Sequence, residues 1–234
     1  MSERLVRGAA LTPSGAAPGF FGKLPAHGDF VGRRLPPSMR DPFDAWLQRA
    51  ILASREELGA AWRPVWLSSP LWRFVLAPGL CGPQAWSGIM TPSVDRVGRC
   101  FPLVLAAPTL HAPSLADCLG RHEDWFIRLE GIALSALDEG ASPDGLDVAL
   151  LAIGALPAMP PLAGLAPSAG VPRCVTFDGV GMPPMAFEDM AGDSAWWGLG
   201  SDRVAPCLAR CRGWPPAAGF AALMNGAWRG HGWR

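Results

Sequence analysis

The chain of 234 residues carries 20 basic and 20 acidic side chains, and half of its residues are apolar. A formal net charge of zero removes the bulk field that draws proteins to nucleic acid or anionic lipid. The apolar content excludes a solvated disordered chain, and the length supplies a core for one or two domains. The biases left over are 28 Gly with 25 Pro, 11 Trp with no Tyr, and nineteen Arg against a single lysine, Lys23.

In chain order, residues 1–17 lack an apolar run of secretory-signal length and are expected to be a disordered tail. A strand is predicted near 18–22, followed by an irregular loop through Pro25, His27, Gly28 and Asp29. A helix is predicted over 42–61, with Asp41 as N-cap, Pro42 in the first helical position, and Gly59 and Pro64 marking its end. Phe43, Trp46, Leu47, Ala50, Ile51, Leu58 and Trp62 give it one apolar face. Short apolar runs at 71–77, 85–92 and 101–107 read as strands between Gly/Pro breaks, and Asp95, Arg96 and Arg99 crowd the loop before the third. A second long helix is predicted over about 115–138, capped by Ser114, and a third from Ser142 to about 155. A Pro-rich connection follows at 156–172. Strands are then expected at 173–177, 195–199 and 204–211, with a closing helix over 215–225 and a short tail at 229–234.

Strands mixed with long helices and no internal repeat indicate a single α+β domain over 18–228, with a mixed but largely antiparallel sheet covered by helices. Residues 148–172 carry no charge, but five prolines interrupt them, which argues against a membrane span. The six cysteines lack metal-site spacing and read as free thiols, with Cys207 and Cys211 the pair weighed for metal. A cytoplasmic protein is expected, without cofactor.

Several motifs resemble active-site sequences and fall short. Gly-Phe-Phe-Gly-Lys lacks the first Gly and the hydroxyl of a phosphate loop, since Ala17 and Leu24 occupy those places. His27 with Asp29 has the residue types of general-base chemistry but no nucleophile context. Asp144-Gly145, Asp178-Gly179 and Gly192-Asp193 superficially match the loops of metal-dependent phosphatases, although Asp-Gly pairs are common turn chemistry. Trp196 and Trp197, if strand-borne, must face opposite sides, which leaves one of them available as an interaction surface.

The stretches GFFGKLPAHGDFVGRRLP, DPFDAWLQRAI, CGPQAWSGIMTPSVDRVGRCFPLVLAAP and AWWGLGSDRVAPCLARC resemble the type VI secretion-associated TagF family over most of the chain. The matching positions include Gly22, Lys23, Pro25, Gly28, Asp29 and Phe30, then Gly82, Pro83, Trp86, Pro92, Ser93, Asp95, Arg96, Gly98 and Arg99, then Trp196, Trp197 and Arg203. The resemblance implies a cytoplasmic, non-enzymatic repressor of type VI secretion that acts after translation. It also implies binding to the forkhead-associated scaffold of the threonine-phosphorylation pathway, with no catalytic residues. The rival readings are a metal-dependent phosphatase or hydrolase built on the Asp-Gly loops, and a positive assembly scaffold. Lys23, Asp29, Asp95, Arg96 and Arg99 are expected to meet in one charged cluster, which either docks the partner or pins two loops together.

Overall fold

The computed structural model describes residues 16–109, 118, 120–157, 173–176 and 193–233. Eight strands form one sheet: β1 Gly19–Gly22, β2 Val31–Arg33, β3 Trp72–Leu76, β4 Ala85–Thr91, β5 Leu103–Thr109, β6 Arg173–Thr176, β7 Asp193–Gly198 and β8 Cys207–Arg212. Their order is β2-β1-β5-β4-β3-β7-β8-β6, and every ladder is antiparallel. The α+β expectation stands, and the largely antiparallel sheet proves wholly so among the described strands.

Helices cover both faces, which is why the central strands read as continuous apolar runs instead of alternating ones. On one side lie α1 Pro37–Leu58, α2 Trp62–Leu67 and α5 Phe220–Asn225. On the other lie α3 Glu123–Ser135 and α4 Pro143–Ile153. Alternate strand residues divide between two cores. Trp72, Phe74 and Leu76 of β3 join Phe43, Trp46 and Phe220 in the first. Val75 of the same strand joins Phe126, Leu129 and Leu150 in the second.

The tryptophan excess is spent in these cores. Trp46, Trp62, Trp66, Trp72, Trp86, Trp125, Trp196, Trp197 and Trp233 are buried, while Trp214 and Trp228 are half-buried. A buried indole needs an acceptor for its N–H. Carbonyls serve Trp46 (Pro215), Trp66 (Ser93), Trp72 (Leu223), Trp86 (Cys81) and Trp125 (Gly154), whereas the buried Trp197 Nε1 has no hydrogen-bond partner among the described residues. Trp196 and Trp197 do face opposite sides, one in each core, so neither is an interaction surface.

Several sequence expectations are corrected. The first helix starts at Pro37, with Pro36 as N-cap, and Pro42 lies inside it. The extra turn buries Met39 completely, which offsets the one backbone bond that Pro42 cannot make. Pro64 does not end the helical run. Gly59, at φ 50°, closes α1, a 3-10 turn over Gly59–Ala61 follows, and Pro64 sits in the first turn of α2, where its missing N–H costs little. Strand β2 falls in the predicted loop. It carries only three residues, too few for periodicity to reveal. The helix expected over 115–138 is shorter: after a turn at 120–122, α3 begins at Glu123 and ends at Ser135, and the proposed cap Ser114 lies outside the described residues. Ser142 does cap α4, accepting a bond from the Gly145 amide at 3.0 Å. No helix among the described residues is long and apolar enough to cross a membrane.

A pinned pair of loops as candidate functional site

Strand β1 ends at Gly22, where φ is 136° and a Cβ would lie 2.1 Å from the Pro102 carbonyl oxygen. Only glycine allows so close an approach to the chain entering β5. The next residue, Lys23, is thereby aimed beneath the loop joining β4 to β5. Its ammonium donates to Asp95 Oδ2; side-chain exposure is 5% for the lysine and zero for the carboxylate.

Asp95 organises the β4–β5 loop around that contact. Its Oδ1 accepts the amides of Val97 at 3.1 Å and Arg99 at 2.8 Å, and its Oδ2 also accepts Arg99 Nε at 2.6 Å. The Asp95 amide donates to the Arg99 carbonyl, and Gly98, at φ 80°, closes the turn. Burial by itself would push the Asp95 carboxyl up. The hydrogen bonds from Lys23 and Arg99 outweigh burial and hold it well below the usual carboxylate range. The carboxylate is therefore ionised at neutral pH, paired with two cations.

The first loop is fixed by the same group. Pro25 lies in the turn that His27 closes by donating its amide to the Leu24 carbonyl. Arg99 Nη2 donates to the Gly28 carbonyl, the Arg96 amide donates to the His27 carbonyl at 2.9 Å, and Ser93 Oγ donates to the Lys23 carbonyl at 2.8 Å. From α2, Arg63 adds a bond to the Gly98 carbonyl at 2.7 Å. Nothing in the sequence spacing singled out Arg63; only the packing of α2 brings it here.

Of the five residues expected to cluster, Lys23, Asp95 and Arg99 form the ionic core. Arg96 contributes its backbone and keeps its guanidinium exposed, with no hydrogen bond or ion pair to any described residue. Asp29 stays outside the ionic core: it is exposed, and its Oδ1 accepts the neighbouring Phe30 amide. Phe30 is 53% exposed, yet its ring is held edge-on to Phe101 at 4.9 Å with the Lys23 ammonium 5.0 Å from its centroid. Val97, at the tip of the second loop, is 68% exposed. The result is a surface of Phe30, Arg96, Val97 and Arg99 carried by two pinned loops above a buried ion pair.

The other sequence candidates lie elsewhere. Trp86 is buried in the first core, and Arg203, on the loop before β8, donates to Ser68 Oγ at 3.1 Å. His27 makes no hydrogen bond to Asp29 among the described residues. Asp144 is taken by an exposed ion pair with Arg33, while Asp178 and Gly192 lie outside the described residues. No group of three or more potential ligand residues that could hold a metal occurs among the described residues. Cys207 and Cys211 lie on one face of β8 in the first core, and all six cysteines are free thiols.

The sequence also passed over Arg73, a charge in the middle of β3. Its guanidinium is buried against α3, forking onto Glu130 at 2.7 and 3.0 Å and reaching Glu123 at 2.7 Å. A lone arginine inside Trp-Arg-Phe-Val-Leu was the available signal. Burial opposes its charge, but the bonds to Glu130 and Glu123 prevail and raise its pKa. This triad joins sheet to helix, with the Arg73 side chain 4% exposed and that of Glu123 37% exposed.

The family model for the TagF N-terminal domain, described as type VI secretion system-associated, matches residues 19–153, more than half of the chain. The crystal structure of PA0076 from Pseudomonas aeruginosa PAO1 superimposes with a TM-score of 0.72 at 37% identity, covering 90% of this chain and 94% of that one. No curated protein matches the chain.

Proposed function

This chain belongs to the type VI secretion-associated TagF family, and from that premise we propose that it is a negative regulator that acts after translation by protein–protein contact. Its partner on this reading is the forkhead-associated scaffold of the threonine-phosphorylation pathway, its location is the cytoplasm, and it turns over no substrate. The observation that supports the reading is the clamp of Lys23, Asp95 and Arg99, which locks two loops and leaves Phe30, Arg96 and Val97 projecting. Recognition surfaces gain when anchors are held rigid before binding, because less side-chain and loop freedom is lost on association. Aromatic and arginine side chains are also the types that dominate binding energy at protein interfaces.

The test has a genetic and a physical arm. Deleting the gene in its host is expected to raise effector release; a fall in release would instead make the protein an assembly scaffold. In a pull-down, the tagged chain is expected to retain the forkhead-associated protein, and failure to do so at micromolar concentrations of both would overturn the choice of partner.

A further inference from the structure

The projecting face carries a charge imbalance that the chain as a whole does not. Lys23, Arg63, Arg96 and Arg99 gather around the two loops against only Asp29 and Asp95. Asp95 is enclosed and already shared between Lys23 and Arg99, and Asp29 is exposed, its Oδ1 accepting the Phe30 amide. Two of the three guanidinium groups are tethered. Arg99 is tied by Nε to Asp95 and by Nη2 to the Gly28 carbonyl, while its side chain remains 61% exposed. Arg63 is tied by Nη1 to the Gly98 carbonyl. The Arg96 guanidinium makes no such bond and lies near Gly28, where an added Cβ would be 3.6 Å from its Nη2.

An arginine has five N–H donors in a planar fork. Each of these three therefore keeps donors for something outside the fold, flanked by the exposed apolar Phe30 and Val97. We propose that this face receives a carboxylate-bearing acidic segment of the protein partner, with a carboxylate forked by Arg96 beside Arg99 and an apolar side chain laid against Phe30 and Val97. Charge complementarity selects that occupant: Lys23 is closed off against Asp95, and the exposed guanidinium groups of Arg63, Arg96 and Arg99 outnumber Asp29, the one exposed carboxylate of the two loops. Planar guanidinium forks favour planar carboxylates over single-point acceptors. The inference rests on the reading of this face as the docking surface and adds the chemistry of what docks.

The probe is the pentapeptide acetyl-Glu-Glu-Leu-Glu-Glu-amide, titrated into the ¹⁵N-labelled full chain, beside the same peptide with Gln in place of every Glu. Amide signals of residues 28–30 and 96–99 and the arginine Nε–H signals are expected to move saturably with the Glu peptide only. Raising salt from about 50 to 500 mM weakens that binding, as screening requires. Arg96→Gln is expected to weaken it roughly ten-fold, the scale of one lost charge-assisted fork, with the thermal midpoint unchanged. Equal shifts with both peptides, shifts confined to other surfaces, or none at all would overturn the inference.

A second arm uses the forkhead-associated protein with wild type and Arg96→Glu. Loss of binding in the variant alone supports the inference. Equal binding by both overturns it while leaving the regulatory reading intact. If wild type itself does not bind, the choice of partner falls, and the peptide titration decides the chemistry of the face.

Discussion

Lys23, the chain's single lysine, donates to Asp95, 72 positions later, in a pair closed to solvent on both sides. The contact joins the loop after β1 to the loop before β5, two segments that meet only because β1 and β5 are sheet neighbours. Removing Lys23 would leave the enclosed Asp95 carboxylate with Arg99 as its one remaining cation, and losing a partner from a buried ion pair is costly. Lys23→Met is expected to lower the thermal midpoint by on the order of 10 °C and to release amide exchange protection across 27–30 and 95–99. A midpoint within a degree of wild type would show that the pair holds nothing.

The same carboxylate sets a pH dependence. The folded pKa of Asp95 lies below its unfolded value of about 3.9. Its stabilisation is therefore fully present above that value and lost as pH falls through the depressed folded one. Wild type and Asp95→Asn should differ in stability at pH 7 and converge as pH drops below about 4. Urea titrations at pH 7, 5, 4 and 3 read this directly, and a gap that stays constant throughout would contradict the assignment.

Arg73 is the second place where charge lies inside the fold, forked onto Glu130 and bonded to Glu123. Arg73→Ala should cost about 3 kcal/mol, since it removes packing and strands the Glu130 carboxylate against the sheet, while Glu123 keeps access to solvent. Arg73→Met combined with Glu130→Leu should recover much of that loss, because the pair is replaced by apolar volume. Equilibrium denaturation followed by circular dichroism measures both, and additive losses in the double variant would refute the coupling.

Gly22 cannot be exchanged without moving backbone. With φ at 136° and the Pro102 oxygen 2.1 Å from the position of a Cβ, Gly22→Ala should destabilise by about 2–4 kcal/mol. It should also disturb Lys23 more than distant residues, visible as lost exchange protection around Asp95. Gly140→Ala is the control, since a Cβ there meets nothing within 4 Å.

The thiols should be sluggish in the native state. Burial pushes Cys81 up to about 12, and the hydrogen bond with Cys207, followed by burial, raises Cys174. A thiol that is not ionised is a poor nucleophile. Ellman's reagent at pH 8 should titrate few groups in the folded chain and all six in denaturant; rapid native reaction of Cys81 would show that its site is open.

Much of the secondary structure was legible because its signals are local. The strands at 72–76, 85–91 and 103–109 stand out as apolar runs between Gly/Pro breaks, and Ser142-Pro143 announces α4. The misreadings share a cause. Pro42 looks like a helix start, yet burial of Met39 carries α1 back to Pro37; strand β2 shows no pattern because three residues at a sheet edge need none.

The candidate site divides along the same line. Composition and motif alone singled out Lys23, Asp95, Arg96 and Arg99, because charges are rare among Gly/Pro-shaped loops and the motif carries the family resemblance. What each does was decided by the fold: Lys23 and Asp95 turn inward, Arg96 outward, Asp29 away, and Arg63 arrives from a helix. Turn chemistry and apolar runs depend on neighbours in sequence, so the chain displays them. Whether a charge is buried and paired depends on which strands become neighbours, and for β1 and β5 that is settled only when the sheet assembles.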